Sequence, residues 1–316
     1  MRQTIAQAKI MKKILLSAIV LLCAIGAGAQ DRYQFAQRDT LALNLNIYEA
    51  TPGSETTFQG QEKPLILFVV GGGFVTMAYG DYVYDWFDTL NANGYTVISV
   101  DYRQGMKGYK KGPGLSGLLK ASDQFSLSQQ MAVEDLFAAV QFLIDKREEL
   151  GVNPDNIVLA GSSAGAITVL AAEYELVNGR VEGLPEGFNF RGVMSFAGGI
   201  ISTSGSPDYP AKPCPTLLLH GTADGAVAYK KMGALGRGIW GSDSLADKLK
   251  KVGADYCIYR YLNRTHDVAA YMEAAWPLEK EFLEKSVILG ARRVIDATID
   301  DSSLPSWGNI TTDDIY

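Results

Sequence analysis

Several short stretches of the chain are apolar almost without interruption: PLILFVV at 64–70, TVISV at 96–100, NIVLA at 156–160 and PTLLLH at 215–220. A strand that is covered on both faces needs no polar positions, so these runs predict the buried strands of a parallel sheet. GVMSFAG at 192–198 and YCIYRYL at 256–262 extend the series. Near the start the pattern changes to alternation, with Leu41, Leu43, Leu45 and Ile47 separated by residues such as Asn44 and Asn46. That period of two predicts a half-exposed strand near a sheet edge. Between the strands the period lengthens. In SLSQQMAVEDLFAAVQFLIDKREEL at 126–150, Met131, Leu136, Ala139, Val140 and Leu143 fall near helical spacing, and Gly151 supplies a stop. Further helices are predicted over 81–91, 163–175, 242–251 and 268–285. Strands alternating with helices predict an α/β fold, a mostly parallel, doubly wound sheet with helices on both faces.

A chain of 316 residues fits one large domain of this kind, and it holds no internal repeat or low-complexity linker that would mark a second. Two segments stand outside the pattern. GMKGYKKGPGLSGLLKASD at 105–123 reads equally as a lid insertion and as a plain surface loop. The stretch 291–316, ending in SWGNITTDDIY, is left as a C-terminal tail without assignment, so the predicted domain spans 30–290.

The first residues carry different information. Lys12-Lys13 precede ILLSAIVLLCAIGAGA, and Ala27-Gly28-Ala29 before Gln30 has the small-x-small form of a cleavage site. This predicts a signal peptide over 1–29 and export to a periplasmic or extracellular location. A spanning anchor needs about 20 apolar residues, more than this run offers, so no stable membrane insertion is expected after cleavage. Export would leave Cys214 and Cys257 in an oxidising compartment. They fall near the starts of neighbouring predicted strands, where either a disulfide or two buried thiols fits. Composition is ordinary for a globular protein, with 47% hydrophobic and 20% charged residues. A net charge of -6 with no basic cluster beyond pairs such as Lys110-Lys111 argues against a nucleic-acid partner.

The candidate chemistry lies at the end of NIVLA, where the chain reads Gly161-Ser162-Ser163-Ala164-Gly165 and then enters a helical pattern. A strained strand-to-helix turn that presents a nucleophilic serine needs small residues two before and two after it. Only Ser163 has glycine at both places, leaving Ser162 as a spacer that packs or makes a local hydrogen bond. A serine hydroxyl attacks only when a base takes its proton. The chain has two histidines, His220 and His266. In the order serine, acid, histidine, Asp224 stands between Ser163 and His266, in the loop after a strand, whereas His220 has only Asp208 before it. Asp267 is adjacent to His266, where its side chain is badly placed to hold the ring. His220 is read as a strand-end histidine that hydrogen-bonds backbone and fixes the acid loop. Gly71-Gly72-Gly73-Phe74, following the strand LFVV, offers backbone donors for a developing oxyanion. Phe74, Tyr79, Tyr82 and Trp86 follow closely, and Phe74 and Tyr79 are taken as candidate substrate contacts.

The set GGGF, VDYR at 100–103, GSSAG, HGTAD at 220–224 and the late His266 resembles the α/β-hydrolase superfamily, in particular its carboxylesterase and hormone-sensitive-lipase-like branch, over about 41–283. That resemblance implies the α/β-hydrolase fold, a triad of Ser163, Asp224 and His266, and an oxyanion hole of Gly72, Gly73 and Ala164. It also implies a structural role for Asp135. Val70 departs from the branch, which usually has histidine before the glycines; this bears on the hydrogen bonding of the glycine loop and on the subfamily. The function implied is hydrolysis of carboxylic esters through an acyl-enzyme, without metal or organic cofactor. The expected substrate is a small-molecule or carbohydrate ester bearing an acetyl or feruloyl group. A serine peptidase of prolyl-oligopeptidase type and a non-catalytic binding module on the same fold are the alternatives.

Overall fold

The structure is a computed structural model that describes residues 31–306. The predicted signal peptide lies outside the described residues, as does the tail from 307 onward. In chain order the elements begin with a hairpin of β1 (Asp31–Arg38) and β2 (Leu41–Tyr48) and a two-residue ribbon of β3 (Thr57–Phe58) and β4 (Gln61–Glu62). There follow β5 (Leu65–Val69), α1 (Asp81–Ala92), β6 (Val97–Val100), α2 (Gly114–Asp145), the short α3 (Arg147–Leu150), β7 (Ile157–Ser162) and α4 (Ala164–Val177). The second half supplies β8 (Gly192–Phe196), β9 (Gly199–Ser202), β10 (Thr216–Gly221), β11 (Lys231–Ala234), β12 (Arg237–Gly241), α5 (Ser242–Lys251) and β13 (Tyr256–Tyr261). It ends with a 3-10 turn at His266–Ala270, α6 (Trp276–Glu281), a π-helical stretch at Phe282–Ile288 and β14 (Val294–Ile299).

Among the described residues the main sheet runs β1-β2-β6-β5-β7-β8-β10-β13-β14. The β1/β2 and β2/β6 pairs are antiparallel, and every later neighbour is parallel. The apolar runs occupy its middle: each residue of β5, β6, β7, β8 and β10 is buried. The order reverses around β5, which has β6 on one side and β7 on the other. At such a switch point the two following loops diverge and leave a crevice beyond the carboxyl ends of the strands. The loops of Gly71 and of Ser163 meet there.

Several predicted boundaries move. The helix predicted from 126 begins at Gly114, after the extended Pro113, and runs to Asp145. The glycines at 112, 114 and 117 mask a segment, LSGLLKAS, that otherwise favours helix. Residues 105–123 are therefore a loop followed by the first turns of α2. The helix predicted over 268–285 is divided, because Pro277 sits in the first turn of α6, where a residue without an N–H can open a helix but not continue one. The stretch left without assignment contains β14, which pairs with β13 along Val294–Ile299 and carries the domain past 290. A three-stranded antiparallel sheet of β11, β12 and β9 was not foreseen. Cys214 and Cys257 are free. Cys257 is in register with Leu217, three residues beyond Cys214, a stagger of about 10 Å along the strands that a disulfide does not span.

Candidate active site

The buried strand β7 delivers Ser163 into a turn with φ 51° and ψ -119°, a sparsely populated conformation for a residue with a side chain. Such strain costs on the order of 1–3 kcal/mol and persists only where the surroundings impose it. They do so here. The Ser163 N–H donates to the Phe196 carbonyl at 2.9 Å, and its own carbonyl accepts from Ile167 at 2.9 Å as α4 begins. The two flanking glycines are required by contact. A Cβ on Gly161 would stand 2.4 Å from the Gly165 oxygen, and one on Gly165 would stand 1.9 Å from the Val69 oxygen.

The loops after β13 and β10 bring the other two residues to the same rim. His266 opens the 3-10 turn and is buried apart from one edge. Its Nε2 lies 2.8 Å from Ser163 Oγ and its Nδ1 2.8 Å from Asp224 Oδ2. With Nδ1–H directed at the carboxylate, Nε2 is left as the acceptor of the serine hydroxyl. Asp224 Oδ1 accepts the backbone N–H groups of Ala226 and Val227, each at 2.9 Å. Burial alone would raise the Asp224 carboxyl, but hydrogen bonds from His220 and His266 outweigh it and hold the group well below the usual carboxylate range. Asp267 faces away and accepts from Ser306 Oγ at 3.0 Å, while Asp208 pairs with Lys248 at the surface.

His220 does more than the sequence reading gave it. The ring is fully buried. Its Nε2 faces two acceptors, the Val227 carbonyl at 3.0 Å and Asp224 Oδ2 at 3.2 Å, so this nitrogen carries the proton. Nδ1 is 2.8 Å from Ser242 Oγ at the start of α5, and Tyr229 packs edge-on against the ring. Asp224 is thus gripped between two imidazoles, one reaching the serine and one anchored in the core.

The glycine loop lies against the serine turn. A Cβ on Gly71 would come within 2.9 Å of the Ser163 Cβ. Ser162, read as a spacer, is the link between the two loops, because its Oγ accepts the Gly71 N–H at 3.2 Å. Its burial in an apolar strand was the only sequence signal available. Tyr102, from VDYR, donates its hydroxyl to the Val70 carbonyl at 3.0 Å. This polar anchor sits at the position where the expected histidine is replaced by Val70. Within the loop, Gly72 (φ +126°) and Gly73 (φ +63°) take up positive-φ conformations that suit glycine, and the Gly72 carbonyl accepts from Val75 at 3.0 Å. Ala164 is the first residue of α4, where N–H groups have no acceptor within the helix.

The two candidate substrate contacts fare differently. Phe74 is 1% exposed and packs edge-on against Tyr102 at 6.1 Å, which puts its ring in the core instead of on an open wall. Its backbone, at φ +60°, still shapes the loop. Tyr79 is half-buried and stacks on Tyr84 at 6.0 Å. Asp135 is fully buried and accepts from Arg103 Nε at 2.8 Å, from the Arg103 N–H at 2.9 Å and from Arg38 Nε at 3.0 Å, tying β1, the loop after β6 and α2 together.

The family model of the carboxylesterase family matches residues 27–175, which include the glycine loop and Ser163 but stop short of Asp224 and His266. Esterase B1 of Culex pipiens is 27% identical over 157 residues, 50% of this chain and 25% of its own length. Acetylcholinesterase of Gallus gallus is 31% identical over 131 residues, 42% of this chain and 15% of its own. The chain thus spans a quarter or less of these curated relatives. Among solved structures, esterase 2 of Thermogutta terrifontis superposes with a TM-score of 0.57 at 18% identity, covering 82% of this chain and 96% of that one. At that identity the likeness concerns the fold.

Proposed function

We propose that the chain is an α/β-hydrolase of carboxylesterase type that hydrolyses carboxylic esters with Ser163 as nucleophile, His266 as general base and acid, and Asp224 as the group that orients and charges the imidazole. The observation that carries the reading is the continuous relay from Ser163 Oγ through His266 to Asp224, with 2.8 Å at each step. Oγ attacks the ester carbonyl as Nε2 takes its proton, and the backbone N–H groups of Gly72, Gly73 and Ala164 receive the oxyanion. The protonated imidazole then gives its proton to the departing alcohol. Water, activated by the same nitrogen, cleaves the acyl-enzyme and releases the acid.

Acetyl or feruloyl groups on a carbohydrate fit as substrates, with the reaction taking place outside the cytoplasm. The leader-like pattern over 12–29 and the family resemblance support that narrower reading. The test is a panel of p-nitrophenyl acetate, methyl ferulate, acetylated xylan and a prolyl amide. Turnover of the esters but not the amide is expected, and Ser163→Ala should lower kcat on p-nitrophenyl acetate by on the order of a thousandfold or more while leaving the thermal melt in place. Unchanged turnover in that variant removes Ser163 from the mechanism. Hydrolysis of the amide alone would replace the esterase reading with a peptidase.

A further inference from the structure

Charge is distributed unevenly over this chain of net charge -6. Residues 105–123 carry four lysines, Lys110 and Lys111 adjacent among them, against Asp123 alone; residues 228–241 carry Lys230, Lys231 and Arg237 and no carboxylate. The two segments meet in the structure, where Arg237 of β12 pairs with Asp123 of α2. They also hold four of the nine large apolar side chains that stand exposed among the described residues: Leu115 (67%), Leu118 (56%), Met232 (52%) and Leu235 (86%). The surface they form is therefore both strongly cationic and strongly apolar.

Leu235 is the most telling of these. It sits at the tip of the β11/β12 hairpin, in a two-residue turn with Leu235 at φ 54° and Gly236 at φ 76°. Turns of this kind favour Asn-Gly or Asp-Gly, because the first position has positive φ. A leucine there adopts an unfavourable backbone conformation and gains no burial in return. Folding alone gives no reason for it; an apolar medium outside the protein does.

Both segments also rise from the rim of the candidate site. The Met106 N–H donates to the Phe74 carbonyl at 2.9 Å, so the first segment leaves directly from the glycine loop. The second follows the Asp224 loop, and β12 pairs with β9, which starts three residues after the Phe196 carbonyl that holds Ser163. We propose that Leu115, Leu118, Met232 and Leu235, with the surrounding lysines, form a peripheral docking surface that seats the mouth of the crevice on an anionic lipid bilayer. Leucines entering the headgroup region while lysines pair with anionic lipid is the chemistry of interfacial attachment. A second copy of the chain is a poor occupant, since a two-fold contact through this patch would set lysines against lysines.

The docking is separable from catalysis and is read by vesicle sedimentation of the full chain. Binding to vesicles of phosphatidylglycerol and phosphatidylcholine is expected, with little binding to phosphatidylcholine alone and loss of binding at high salt. The triple variant Leu115→Ser/Leu118→Ser/Leu235→Ser should bind the anionic vesicles about tenfold more weakly at unchanged charge, and Lys110→Glu/Lys111→Glu should do so by a similar factor. Hydrolysis of soluble p-nitrophenyl acetate should be unchanged in both. Absence of binding to the anionic vesicles overturns the proposal, as does binding that neither variant weakens. A wild-type dimer in sedimentation equilibrium that the leucine variant dissolves would give the surface to a second copy instead.

Discussion

Asp224 receives hydrogen bonds from His266 on the solvent side and from His220 on the core side, and the second of these decides how firmly the first is aimed. Because the folded carboxyl lies below its ordinary value of about 3.9, it contributes stability that is present above that value and is lost as pH falls through the lower folded value. Removing His220 takes away one donor and opens a buried space. His220→Ala is expected to destabilise the fold by about 1–3 kcal/mol and to move acid unfolding to higher pH. It should also lower kcat on p-nitrophenyl acetate by roughly tenfold, since a loosened acid aims the imidazole less well. KM should change little. His220→Gln, which can place an N–H toward the carboxylate, should recover part of both losses. Urea melts across acidic pH and steady-state kinetics check this; an unchanged kcat in the alanine variant would leave His220 with a packing role only. The three relay residues were legible because chain order and glycine spacing constrain them. The grip of His220 was legible only in part, and the Ser162 link was not, because both depend on which backbone group stands opposite a buried polar atom.

At the scale of elements, the parallel strands were legible because burial on both faces erases polar positions over runs as short as a strand. The start of α2 was hidden by glycines, and the β11/β12 hairpin by KMGALGRGIW, which lacks both alternation and the usual turn residue. Helix α4 shows a cost that its sequence announces. It is buried throughout Ala164–Glu173, and its last buried residue is a carboxylic acid. Glu173 Oε1 accepts the Cys214 N–H at 2.8 Å, while Oε2 is buried without a protein partner among the described residues. Burial pushes this carboxyl up to about 7, an effect only partly offset by the Cys214 donor. A carboxyl raised in the folded state stabilises below its ordinary value, and that stability is lost as pH rises from about 4.5 to about 7. The loss amounts to about 3 kcal/mol. Glu173→Gln keeps the acceptor for Cys214 and removes the ionisation. It should therefore melt higher than the parent at about pH 8, the two should converge at about pH 5, and activity should be retained. Melting curves at both pH values test the sign; a parent that gains stability over this interval through Glu173 would contradict it.

At the scale of the whole molecule, the last described residues join the sheet to the rim that carries His266. The stretch Val294–Ile299 alternates exposed and half-buried positions, a pattern too weak to be read as a strand without its partner. In the structure it runs parallel to β13 over six paired positions, from Tyr256↔Val294 to Tyr261↔Ile299. Beyond it the chain folds over the turn that carries His266. The Asp301 carbonyl accepts from Arg264 Nη2 at 2.6 Å, the Pro305 carbonyl accepts the Tyr271 hydroxyl, and Ser306 donates to Asp267. Three contacts thus bracket His266 from both sides in sequence. Ending the chain after Gly290 would uncover the edge of β13, which invites pairing between molecules, and would free the His266 turn. The expected result is a Tm lower by roughly 5 °C or more, with aggregation on heating. A shorter truncation after Ile299 keeps the strand and removes only the strap. It should leave Tm nearly unchanged while lowering kcat, because the imbalance falls on the placement of one imidazole and not on the sheet. Equal kcat in the two truncated chains and the parent would show that the 3-10 turn holds His266 without help from the segment that covers it.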